Sequence, residues 1–143
     1  MNSRTTAGFT LIELVVVITI LGILAAFAVP RFTAIEVRAR EAAVQSLAGS
    51  LRSAGTLAHG MWLASGSPAT IAMEGRNIVM TNGYPALNSI QNTLQDTSGF
   101  AYSAATGVFT RNGAATPANC SVTYAAPTGA NLAPTITVRQ TAC

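Results

Sequence analysis

The chain has 143 residues, 50% of them hydrophobic and only 9% charged, against about a quarter charged in an average soluble domain. That excludes an intrinsically disordered chain and argues against an ordinary cytosolic enzyme. Eight arginines, no lysine and five acids leave a net charge of +3, too thin an excess for a phosphate-binding stripe.

The positive mean hydropathy, +0.41, is concentrated at the start. Between Leu14 and Pro30 there is no charge, and Thr19 is the one hydroxyl-bearing residue. With Phe9, Thr10, Leu11 and Ile12 on the far side of Glu13, the run reaches 22 residues, and about 20 helical residues span the hydrocarbon core of a bilayer. A cleaved secretory signal is the rival reading, with Ala25, Ala26 and Ala28 as a small-residue cleavage site. The arginines do not settle the orientation, because Arg4 precedes the run while Arg31, Arg38 and Arg40 follow it. Pro30 is expected to kink the helix rather than stop it, since good helix formers continue beyond it.

After Pro30 the pattern turns amphipathic. Val44, Leu47, Leu51, Ala54, Ala58 and Met61 recur every three or four residues, which predicts a helix face that packs on something. Arg38, Arg40, Glu41, Gln45 and Arg52 are placed on the opposite, solvated face, with Glu36 and Arg40 spaced as a helix ion pair. Gly49, Gly55 and Gly60 weaken the helix, and Ser65, Gly66, Ser67 and Pro68 should end it near Trp62 to Gly66. Beyond Pro68 the period becomes two. Candidate strands are Thr70 to Met73, Asn77 to Thr81, Phe100 to Ser103, Gly107 to Thr110, Cys120 to Tyr124 and Thr135 to Arg139. They read as an antiparallel sheet covered by the Val44 to Met61 stripe, with polar loops at Ala114 to Asn119 and Ala125 to Pro134.

Chemistry-bearing residues are sparse. Cys120 and Cys143 have 22 residues between them. They form either a disulfide, if this region is exported, or two buried thiols. His59 has no acid or nucleophile tied to it by spacing, and no phosphate loop, nucleophile elbow, zinc-protease pair or carboxylate dyad is present. No enzyme activity, cofactor or metal is expected. Arg76, Arg111 and Arg139 read as a mildly cationic solvated surface, so a nucleic-acid partner is set aside.

Glu13 is the anomaly, a carboxylate inside an apolar run. Near the end of a span it can reach the interface. It gains a second use if the chain starts at Phe9, whose free amine would then be a cationic partner. The run Gly8-Phe9-Thr10-Leu11-Ile12-Glu13-Leu14-Val15-Val16-Val17-Ile18, after a short leader containing Arg4, resembles the N-terminus of type IV pilins.

The resemblance implies a division into a leader, 1–8, an apolar transmembrane and filament-core helix, 9–30, and a globular domain, 31–143, with a cysteine-bounded region, 120–143. It implies an α+β fold in which a long helix protrudes by its apolar first half, about 80 Å long in all if continuous, and packs by its second half on an antiparallel sheet. A prepilin peptidase would cut between Gly8 and Phe9 and methylate the Phe9 amine. Glu13 would neutralise the amine of an adjoining subunit, with Gly22 and Pro30 as places where the helix bends. Cys120 and Cys143 match the family's disulfide. The partners implied are further copies in a homopolymer filament, the peptidase, the inner-membrane assembly machinery and a surface or glycan receptor. The subunit would wait in the bacterial inner membrane and end in an extracellular pilus serving attachment or motility. Ser50 to Gly66 and Asn77 to Pro85 look like mannose-sensitive haemagglutinin pilins. A minor pilin, a type II secretion pseudopilin and a low-copy adhesive module are the other readings.

Overall fold

The computed structural model describes residues 8–143, so the expected leader lies outside the described residues except for Gly8. The chain divides into two compact units between Glu36 and Val37. One helix, α1 (Leu11–Ala64, 54 residues), runs through the sequence of both.

In the first unit α1 is apolar on every side from Leu14 to Pro30. Leu11 is 80% exposed, Phe27 75% and Phe32 71%, and such a helix is stable only inside a bilayer or among other helices. Its best 18-residue window has a mean hydropathy of 2.8, apolar enough to cross a membrane. The helix continues through Pro30, whose ring nitrogen has no proton to give the Ala26 carbonyl. Two hydroxyls fold back onto the backbone here. Thr19 Oγ1 donates to the carbonyls of Val15 (2.6 Å) and Val16 (3.0 Å), and Thr33 Oγ1 to that of Val29 (3.2 Å).

In the second unit the stripe is found as expected. Val44, Leu47, Leu51 and Ala58 are buried, and Ala54 and Met61 are half-buried. Ala48 and Gly55 are buried as well, because a stripe wide enough to cover a sheet takes in the neighbouring small positions. Arg40 departs from the expectation of a solvated face. It is half-buried, and its Nη1 donates to the Cys143 carbonyl at 2.8 Å.

Strands β1 (Thr70–Met73), β2 (Arg76–Thr81) and β3 (Tyr84–Pro85) form one antiparallel sheet. Strands β4 (Phe100–Ser103), β5 (Val108–Arg111), β6 (Cys120–Ala125) and β7 (Thr135–Gln140) form another. The six expected strands are all present within a residue or so, but they make two sheets rather than one. The reason is the segment 86–99, which carries a 3-10 helix at Ile90–Thr93 and buries Ile90 and Leu94 in the core instead of extending a ladder. The hairpin turns at Glu74-Gly75 and Asn82-Gly83 have positive φ at both residues, the geometry that suits a right-twisted two-residue connection. A second 3-10 helix, Pro117–Asn119, occupies the expected loop before β6.

The larger core cluster joins Val44, Leu47 and Leu51 of α1 to Phe109 of β5 and to Cys120, Val122 and Tyr124 of β6. Register places Val122 between Phe109 and Val138, and Tyr124 opposite Ile136, so one face of the sheet turns its apolar residues to the helix. The smaller cluster joins Ala58 to Ile71, Met73 and Ile78.

Candidate functional site at the N-terminal segment

The helix begins at Leu11 because Thr10 and Glu13 satisfy its first free donors. The Thr10 backbone N–H donates to Glu13 Oε2 at 2.8 Å, and the Thr10 hydroxyl donates to the same oxygen at 2.7 Å. The Glu13 N–H donates in return to Thr10 Oγ1 at 3.4 Å. This is a reciprocal capping box, and it puts the carboxylate at the positive end of the helix dipole. The signal was legible, a threonine followed three residues later by glutamate at the head of an apolar run. Sequence reasoning dwelt on the charge and missed the cap.

Phe9 is 82% exposed, and a shallow groove of about 380 Å³ is lined by Phe9, Ile12, Glu13, Val16 and Val17. The i, i+3, i+4 spacing brings the aromatic ring, the carboxylate and apolar neighbours onto one surface. Gly8 is exposed, with no atom near where a side chain would project. Gly22 and Pro30 lie within α1, and a Cβ at Gly22 would also meet nothing. The helical segment can therefore lay another helix against its backbone at Gly22, as small residues allow between membrane helices.

The cysteines are far from this segment in sequence. Cys120 and Cys143 are bridged, with S–S 2.04 Å and Cα atoms 4.7 Å apart, so of the two readings the disulfide is the one found. His59 sits in the second unit, its ring stacked on Tyr84 and Trp62. Among the described residues no group of three His, Cys, Asp or Glu side chains is placed to hold a metal ion.

Residues 3–29 match the family model of the prokaryotic N-terminal methylation motif. The type IV narrow pilus major component PilA5 of Thermus thermophilus is 53% identical over 51 residues, which are 36% of this chain and 44% of that protein. The chain thus spans less than half the length of this curated relative. No solved structure matches it.

Proposed function

We propose, from the type IV pilin N-terminus and α+β fold that this chain carries, that it is the major structural subunit of a type IV pilus filament. The observation that carries the reading is the segment from Phe9 to Ile35. Its large side chains are exposed, it is uncharged and apolar on all sides from Leu14 to Pro30, and it is headed by a single carboxylate. Such a surface is satisfied by a bilayer before assembly and by neighbouring copies of the same helix afterwards.

In this reading the leader, 1–8, is removed between Gly8 and Phe9 by a prepilin peptidase, which methylates the new Phe9 amine. The assembly machinery of the bacterial inner membrane then moves the 9–30 helix from lipid into the filament core. The domain 31–143 forms the fibre surface and serves attachment or motility. Glu13 pairs with the Phe9 amine of an adjoining subunit, because a charge buried in an apolar bundle is tolerated only when paired. Gly22 and Pro30 supply the bends that let helices of one length pack at different depths. The match to a protein named as the major component of a narrow pilus favours the major subunit over a minor pilin or a pseudopilin.

The test is intact mass and N-terminal sequencing of protein sheared from cell surfaces without reducing agent. The expected result is an abundant product starting at methylated Phe9 and lacking two hydrogens for the Cys120–Cys143 bridge. A product starting at Met1 or after Ala28, or absence from the sheared fraction, overturns the reading.

A further inference from the structure

The second unit carries two Asn-Gly dipeptides, Asn82-Gly83 and Asn112-Gly113, each in a tight turn with its glycine at positive φ. In such a pair the glycine, having no Cβ, lets its backbone nitrogen swing against the side-chain carbon of the asparagine before it. Both asparagines are exposed, so access to water does not separate them. Their surroundings do.

At the first turn every part is tied. Asn82 Nδ2–H donates to the Pro127 carbonyl at 2.8 Å, and the residue itself holds a φ of +51°. Gly83 is buried, its carbonyl accepts from His59 Nδ1–H at 2.7 Å, and a Cβ there would stand 2.9 Å from the Trp62 ring. Turning the Gly83 nitrogen onto the Asn82 side chain would break these bonds and displace packed rings. At the second turn little is held. It follows β5 and is closed by Ala114 N–H to the Arg111 carbonyl at a long 3.4 Å, while Asn112 N–H donates to the Gly99 carbonyl at 3.0 Å. The Asn112 side chain has no hydrogen-bond partner among the described residues. Gly113 is exposed, and no atom lies within 4 Å of where its Cβ would project. This turn can open without disturbing the core.

We propose that Asn112 is a site of spontaneous deamidation, and that the fold protects Asn82 from the same reaction. The Gly113 nitrogen gives its proton to solvent base and forms a bond to Asn112 Cγ. The Cγ–Nδ2 bond breaks, and Nδ2 leaves as ammonia with a proton returned from solvent. Water then adds to either carbonyl of the resulting ring imide and breaks that carbonyl's bond to the Gly113 nitrogen, leaving aspartate or isoaspartate. The sum is amide plus water to acid plus ammonia, with nothing oxidised or reduced.

Each event removes one unit from the net charge of +3. The new carboxylate follows Arg111, whose guanidinium lies 5.2 Å from the centre of the Phe100 ring and donates to the Gly99 carbonyl. The isoaspartate product also lengthens the main chain by one carbon, at the residue whose N–H bonds Gly99 beside the β4–β5 pair. The exposed end of the four-stranded sheet is thus where the molecule gains charge with age. The inference stands apart from the filament reading, since it concerns one chain.

The full chain in detergent is held in mildly alkaline buffer, which speeds loss of the Gly113 proton, and samples taken over days are digested in acid and mapped by mass spectrometry. The expected result is the mass gain of an amide-to-acid exchange on the peptide containing Asn112, in aspartate and isoaspartate forms. Asn82 should lag by about tenfold or more, because its turn must first open. The chain unfolded in guanidinium should convert at both dipeptides, and Asn112→Gln should lose the acidic isoform on isoelectric focusing. Conversion at Asn82 as fast as at Asn112 in the folded chain overturns the proposal. So does an Asn112 peptide that stays unmodified, whether or not the unfolded chain reacts.

Discussion

The guanidinium of Arg40 in α1 donates a 2.8 Å hydrogen bond to the carbonyl of Cys143, whose sulfur is bridged to Cys120 at the start of β6. Cys143 is thus held twice, to the four-stranded sheet of the second unit covalently through the sulfurs and to the helix by a charge-assisted hydrogen bond. Both cysteines are buried in the main core cluster.

Cys143→Ser should therefore lower the stability of the second unit by about 3 kcal/mol on the chain-entropy account of a loop this long. Arg40→Ala, which leaves the bridge intact, should cost about 1 kcal/mol. Guanidinium unfolding followed by Trp62 fluorescence measures both. An unchanged midpoint in Cys143→Ser would mean that helix–sheet packing alone holds the segment in place.

Glu13 is expected to have two separable roles, as helix cap and as charge. Glu13→Gln retains a side chain able to close the capping box with Thr10 but removes the negative charge, whereas Glu13→Ala removes both. If the charge pairs with the Phe9 amine of a neighbour, both variants enter the membrane normally and both fail to yield sheared filaments. Full filament yield from Glu13→Gln would assign the residue to capping alone. Gly8→Leu should leave an unprocessed precursor in the membrane, visible as an uncut mass.

Gly83→Ala should destabilise the second unit by about 1–3 kcal/mol through its positive φ and the contact with Trp62 and His59, and should shift Trp62 emission. Gly107→Ala should be worse. There φ is +70° and the added Cβ would stand 2.1 Å from the Tyr124 carbonyl oxygen, backbone that cannot swing aside as a ring can. Equal midpoints for the two variants would contradict this ordering.

Tyr124 is fully buried, and its hydroxyl donates to the Pro85 carbonyl at 2.7 Å. Burial, with smaller contributions from Tyr102 and Tyr84, raises the phenol well above its ordinary value of 10.0. The folded state holds this proton more tightly than the unfolded chain does. Its contribution to stability is fully present below pH about 10 and is lost as the pH climbs toward the folded value. Tyr124→Phe should cost about 1–3 kcal/mol at neutral pH by leaving the Pro85 carbonyl unpaired, and should flatten the loss of stability above pH 10. Parallel alkaline limbs for the two proteins would place the sensitivity elsewhere.

What the sequence determined by itself is local. The apolar run, the Gly8-Phe9 and Glu13 motif, the helix end at Ser65 to Pro68 and six strands rest on composition and on periods of 3.6 and 2, which neighbouring residues set without reference to distant ones. Two further local signals were present and unread, the Thr10 to Glu13 capping box and the Asn82-Gly83 turn that creates β3. Other features were decided only by the tertiary structure. Segment 86–99 sinks Ile90 and Leu94 into the core and divides the strands into two sheets. Arg40 bonds a carbonyl 103 residues away, and His59 bonds the Gly83 carbonyl 24 residues on and stacks on the neighbouring Tyr84. Each depends on which distant groups the packed chain brings into reach, and no period in a linear sequence encodes that.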